Sequence, residues 1–248
     1  MLDEPAALAA IAAVFLLAGV VKGVIGLGLP TICLGLLILF VDLPSAMALL
    51  LAPSFVTNLW QACVGGHGAM LVRRLWPFFV SAAALVWIGG LALTFVDLSL
   101  LSLLLGLLLV AYAGVSLRGI RWIIAPGQEP WIAPLVGGVN GILTGMTGSF
   151  AVPGVLFLQA IGLPRYQLIQ AMGILFTIST AALALSLGGA GFLNGELSVL
   201  SLGGVIPALI GVVIGQRVRS LLSEARFRQV FFWSILFLGL YIAANAVG

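Results

Sequence analysis

Ten apolar runs, none holding a charged residue, follow one another along the chain: about 5–21, 29–41, 45–64, 76–96, 99–117, 132–147, 150–163, 166–187, 198–216 and 229–247. Six of them, in the 45–117 and 166–247 regions, are about 19–22 residues long. A helix needs roughly 20 residues to cross the hydrocarbon core of a bilayer. The 29–41 and 150–163 runs are short for a full crossing. Only 7% of the 248 residues are charged, 62% are hydrophobic and the mean hydropathy is +1.30, whereas a soluble domain carries roughly 25% charged residues. Such a chain cannot cover a water-facing surface. The expected fold class is all-α, a polytopic transmembrane helical bundle with no room for a soluble domain.

The charges between the runs orient the bundle. Threading the chain with its N-terminus outside brings Lys22 inside and Asp42 outside, then Arg73 and Arg74 inside, Asp97 outside, and Arg118 and Arg121 inside. In the second half Gly148 lies outside, Arg165 inside, Glu196 outside, and Arg217, Arg219, Arg226 and Arg228 inside. All ten basic residues fall on one side, as the excess of Lys and Arg in cytoplasmic loops requires. The basic loops are therefore expected in the cytoplasm and both termini outside. The net charge of +3 is met by this bias without any nucleic-acid partner. The N-terminal segment has Asp3 and Glu4 and no basic residue before its first apolar run, unlike the positive n-region of a signal peptide. That run is expected to stay in the mature protein.

Two stretches break the apolar pattern: Gly23–Thr31 (GVIGLGLPT) and Gly141–Pro153 (GILTGMTGSFAVP). Proline removes a backbone donor and clashes with the preceding turn, and glycine permits shapes other residues resist. Each stretch reads as a broken helix, tolerated in a membrane where it is buried in protein or lines a wet cavity. Paired breaks in matching halves point to a transporter's substrate site, expected near the membrane midplane where the two broken helices meet and worked by alternating access. The halves do correspond. Asp42-Leu43-Pro44-Ser45 matches Gly162-Leu163-Pro164-Arg165, Trp76-Pro77 matches Ile206-Pro207, and Gly106 and Gly239 sit in the last run of each. The expected organisation is one structural domain made of a first repeat (1–118), a cytoplasmic linker (119–131) and an inverted second repeat (132–248). The runs fit ten spans, eight, or six spans with re-entrant hairpins at 5–41 and 132–163.

GVIGLGLPT, AMALLLAPSFVTNLWQ (Ala46–Gln61), RRLWP (Arg73–Pro77) and GILTGMTGSFAVPGVLFLQAIGL (Gly141–Leu163) together resemble the TauE/SafE sulfite exporter family, which is grouped with toluene sulfonate uptake permeases. The resemblance covers nearly the whole chain, and its second glycine-rich motif is the most specific part. It implies a multi-pass transporter of the bacterial inner membrane, associated with sulfite, sulfonates and other small anions. Many members carry a triple glycine before the proline, where this chain has Gly26-Leu27-Gly28-Leu29-Pro30 and Thr147-Gly148-Ser149-Phe150. The resemblance thus carries the scaffold further than the substrate.

A half-helix starting inside the membrane points free backbone N–H groups and its positive dipole end at the cavity, an anion site needing no basic side chain. The candidate substrate-binding residues are Gly26, Gly28, Pro30 and Thr31 at the first break and Asn140, Thr144, Thr147, Gly148, Ser149 and Pro153 at the second. The competing fate of these hydroxyls is a bond to a carbonyl one turn back. Asn58 and Gln61 share one helix face three residues apart and either touch substrate or, like Gln170, join helices. Lys22 adjoins the first break, at the place Asn140 holds in the second half. It either counters an anion or, as interfacial lysines commonly do, snorkels to the headgroups.

No nucleotide-binding motif is present, and no carboxylate lies inside an apolar run to relay protons. A carrier driven by an ion or anion gradient, or a uniporter, fits best. An anion channel on the same scaffold is the alternative. A membrane-embedded enzyme fits least, since it needs clustered nucleophiles, acids or metal ligands. No catalytic residue, cofactor or metal site is expected, because Cys33 and Cys63 lack paired spacing and His67 stands alone. The expected partners are a small anionic substrate and the lipid bilayer, and the sequence leaves the oligomeric state open, a homodimer included.

Overall fold

Acidic and amide residues between the runs start the helices. Asp42 Oδ1 accepts from Ser45 N at 2.8 Å, Asp97 Oδ1 from Ser99 N at 2.7 Å and Asn194 Oδ1 from Leu197 N at 2.8 Å. Each side chain thereby satisfies a donor that the first turn leaves free. The computed structural model describes residues 5–120, 122–219 and 223–247, so Asp3, Glu4 and Arg121, which entered the orientation reading, lie outside the described residues. In chain order the helices are α1 (Pro5–Ile25), α2 (Leu29–Leu37), α3 (Leu43–Cys63), α4 (Gly68–Ala84), α5 (Val86–Leu91), α6 (Leu98–Leu117), α7 (Glu129–Thr147), α8 (Gly154–Ala160), α9 (Arg165–Gly189), α10 (Gly195–Val218) and α11 (Glu224–Val247). No strand occurs among the described residues.

This is an all-α, multi-pass membrane protein. Among the described residues seven helical stretches are long and apolar enough to cross a bilayer, with α4, α5 and a short 3-10 turn at Ala92–Thr94 counting as one. The α2 helix has 9 residues and α8 has 7, so at 1.5 Å per residue neither reaches half of a core about 30 Å thick. The ten apolar runs thus do not give ten helices of membrane-spanning length among the described residues. Helices α4 and α11 begin upstream of their apolar runs and take in Arg73 and Arg74, and Arg226 and Arg228, within their first two turns. A charge at the membrane surface does not end a helix. Likewise α7 starts at Glu129, so its first turn takes up the last three residues of the expected linker.

Packing pairs the halves crosswise. Helix α1 lies on α10, α7 on α4 and α5, α3 on α9, and α6 on α11. The closest approaches run through glycine, whose missing side chain lets backbones touch. A Cβ on Gly19 or Gly23 would meet Ala208 or Val212 backbone of α10 closer than 3.0 Å, and one on Gly141 or Gly145 would meet Ala82 or Val86. Gly106 and Gly239 face each other across α6 and α11.

The two ends of the bundle differ. One gathers Asp42, Ser99 and Asn245 around a cavity of about 330 Å³, while Arg165 and Arg228 line clefts at the other. Near that basic end Arg74 donates to both oxygens of Glu129, Nε to Oε1 at 2.8 Å and Nη2 to Oε2 at 2.6 Å, tying α4 to the start of α7. Glu129 is buried, so Arg74→Gln is expected to cost about 2 kcal/mol, the usual worth of hydrogen bonds to a charged group. A thermal melt in detergent reads this as a fall of several degrees, against no change for exposed Arg73→Gln.

Candidate functional site

Both glycine–proline stretches are interruptions, and both lie inside the protein. At the first, α1 ends at Ile25, Gly26 and Gly28 turn the chain at φ +80° and +105°, and α2 begins with Pro30 in its opening turn. These φ values belong to the left-handed region that glycine alone adopts without strain. At the second, Gly148 at φ +71° closes α7, the chain runs irregularly through Ser149–Val152, and Pro153 precedes α8. Of the atoms nearest the turning glycines of one break, none belongs to the other. Gly28 lies against Phe231 and Val21, and Gly148 against Met47 and Leu34.

The second break satisfies itself. Thr144 Oγ1 donates to Ser149 O at 3.0 Å and Thr147 Oγ1 to Leu143 O at 2.7 Å, while Ser149 N donates to Thr147 Oγ1 at 3.2 Å. Asn140 Oδ1 accepts from Gly154 N at 2.9 Å and so serves the first N–H of α8. Thr144, Thr147, Gly148, Ser149 and Phe150 are all buried, and the Phe150 ring lies 6.0 Å from that of Phe176 on α9.

The first break is built differently. No side chain caps α2 at Gly28, and Gly26 and Leu27 are only half-buried. Pro30 and Thr31 are buried behind them. Lys22, in the last turn of α1, is 5% exposed and donates to Asn58 Oδ1, so it does not snorkel. Among the described residues it has no carboxylate partner, the ion pair of this end being Arg74–Glu129. Burying an ammonium in a membrane interior costs about 3 kcal/mol on insertion scales, and one amide oxygen offsets only part of that.

The amides divide into two kinds. Gln61 Nε2 donates to Ile169 O at 2.7 Å, and Gln170 Nε2 to Ala62 O at 2.8 Å, so this pair stitches α3 to α9 in both directions. Asn58 and Asn140 are each fully buried and each keeps an Nδ2 with no partner. Ser54 and Ser179 were not singled out from sequence, yet both hydroxyls are buried without a partner. Ser54 lies one turn before Asn58 on α3, and that spacing was the available signal. Buried polar groups are ordinarily paired, and among the described residues the buried side-chain atoms without a partner are Ser54 Oγ, Asn58 Nδ2, Tyr112 Oη, Asn140 Nδ2 and Ser179 Oγ. Among the described residues no cluster of His, Cys, Asp and Glu could hold a metal.

A family model described as "Sulfite exporter TauE/SafE" matches residues 11–242. No curated protein and no solved structure matches the chain. The matched stretch runs from the first turns of α1 to near the end of α11 and takes in both breaks, and the chain belongs to the sulfite exporter TauE/SafE family of membrane transporters.

Proposed function

We propose that the protein is a secondary carrier of the bacterial inner membrane that moves a small anion, sulfite or an organosulfonate, by alternating access, and that the anion is held at the first break. One observation carries this reading: a buried lysine with no carboxylate partner among the described residues stands one turn before Gly26, where the chain breaks ahead of the uncapped start of α2. The Lys22 ammonium, the Asn58 amide and the N–H groups opening α2 together supply what an oxyanion needs, and the dipole of α2 adds to the attraction. The second break, whose hydroxyls bond within it while the Asn140 amide keeps one free Nδ2, acts as the counterpart on the far side. The crosswise pairing of helices supports two inverted copies, with the breaks related by their exchange. The positive-inside bias supports placing the arginine-bearing end in the cytoplasm.

Protein reconstituted in liposomes is expected to take up radiolabelled sulfite or a simple sulfonate with saturation, accelerated several-fold by unlabelled anion on the opposite side. Asn58→Ala is expected to raise the KM at least 10-fold. Non-saturating flux with a measurable conductance would replace the carrier by a channel. Absence of flux for every sulfur anion tested would remove the reading.

A further inference from the structure

At the arginine-bearing end two cavities, of about 240 and 210 Å³, share walls made by Gln159, Leu168 and Arg228. The first is bounded by Ile120, Trp122 and Leu156, between the linker and α8. The second carries Arg165 and runs to Ile25 and Leu27, on either side of Gly26. Water occupies about 30 Å³ per molecule in the liquid, so each lobe has room for a small organic anion. The two neighbouring cavities therefore extend, on either side of those shared residues, from the linker to the half-buried mouth of the first break. Lys22 lies beyond it, buried one turn back on α1.

We infer that this two-lobed cleft is an entry site for organic anions, separate from the Lys22–Asn58 pair: Arg165 and Arg228 hold a sulfonate-like head, and the lobe of Ile120, Trp122 and Leu156 takes a short apolar tail. Guanidinium groups bind planar or tetrahedral oxyanions through paired N–H donors. Arg228 is steadied by the Phe232 ring, 6.0 Å from its guanidinium carbon, and the Gln159 amide adds a donor on the wall common to both lobes. A tail lobe faced by an indole favours an organosulfonate over bare sulfite, because apolar area removed from water contributes only when the ligand has such area. The inference rests on the carrier reading for its direction of travel, but binding in the cleft stands without it. A lipid phosphate offers the same head chemistry, and exposed arginines beside a tryptophan are common at the headgroup level.

The test uses the full chain in nanodiscs of zwitterionic lipid, with ethanesulfonate and sulfite as probes. Ethanesulfonate is expected to change the tryptophan fluorescence in the wild type and not in Trp122→Phe. Its apparent affinity should fall at least 5-fold in Arg228→Gln and recover partly in Arg228→Lys, and sulfite should bind more weakly. In everted vesicles Arg228→Gln should raise the KM for ethanesulfonate at least 5-fold with Vmax within 2-fold, while the KM measured from the opposite face stays unchanged. A fluorescence change that requires anionic lipid and ignores ethanesulfonate assigns the cleft to headgroups and overturns the inference. Equal KM increases on both faces overturn it too, by placing Arg228 in a shared central site. Fluorescence binding without any flux keeps the cleft and sinks the carrier. Flux with neither fluorescence change nor KM shift sinks the cleft alone.

Discussion

Lys22→Gln is expected to lower kcat/KM for anion transport about 100-fold while leaving the protein as stable as before, or more so. Two charges 4 Å apart interact by about 4 kcal/mol at an effective dielectric of 20. Part of that is lost to desolvating the anion, and a remainder near 2.7 kcal/mol corresponds to the 100-fold effect. Stability moves the other way because the unliganded state holds a buried ammonium whose partner is a neutral amide. Removing a buried charge of that kind is neutral or favourable when the replacement keeps the volume and a hydrogen bond to Asn58. Anion binding should also raise the melting temperature of the wild type, and that increment should vanish in Lys22→Gln. If Lys22 and Asn58 merely fasten α1 to α3, the opposite pattern follows: a lower melting temperature, retained transport and an unchanged response to anion. Lys22→Arg keeps the charge with a different shape and is expected to fall between.

Much of the architecture was legible in the positions of charges and glycines. Asp42 and Asp97 lay between runs as orientation marks, and they turn out to cap α3 and α6. Glycines recur four residues apart at Gly19/Gly23, Gly141/Gly145 and Gly211/Gly215, a weak signal in a chain with 32 glycines, and these pairs lie on the packed faces of α1, α7 and α10. Spacing identifies a face that can pack closely but not its partner, so the crosswise pairing of halves required the fold. Helix ends were less legible where arginines stand in the opening two turns, because an apolar-run reading stops at the charge whereas the helix begins before it.

Within the site, residue type located the breaks, and hydrogen-bond partners separated them. Thr144, Thr147 and Ser149 stood beside Thr31 as candidates in sequence, with a bond to a carbonyl one turn back as their competing fate. A hydroxyl in an apolar helix bonds to whatever carbonyl is nearest, and here those carbonyls are Ser149 and Leu143. Gln61 and Asn58 share a helix face, but the glutamine's longer side chain reaches the Ile169 carbonyl of α9 while the asparagine receives Lys22. The lysine itself resembles an interfacial anchor in sequence. Its burial follows from the break: α1 ends only three residues later and α2 turns back beside it, so the end of α1 stays within the packed bundle.

The largest stability effects are expected at glycines that meet backbone, not at those that set turns. In Gly23→Ala the new methyl would face Val212 O, Gln216 N and Gly215 Cα of α10, and in Gly145→Ala it would face Val86 O and Gly90 N, all closer than 3.0 Å. None of these atoms belongs to a flexible side chain, so the only relief is to separate two helices along their length. Alanine favours a helix over glycine by about 1 kcal/mol, whereas overpacking of a tight interface costs typically about 1–3 kcal/mol. The relief here spreads along a whole helix pair, which puts the cost at the upper end, and the net loss is expected near 2 kcal/mol. For a chain of this size that is a fall in melting temperature of about 4–8 °C. Gly203→Ala on α10 supplies the contrast, because its Cβ would meet nothing within 4 Å and the helix gain stands alone. It should leave the melting temperature unchanged or slightly raised. On the proposal that the chain is two inverted copies of one unit, the α1–α10 and α7–α4/α5 contacts are equivalent, and Gly23→Ala and Gly145→Ala should lower stability by similar amounts. A large fall in one with none in the other would mean that the two interfaces are not equivalent, and would count against reading the chain as two copies of one unit.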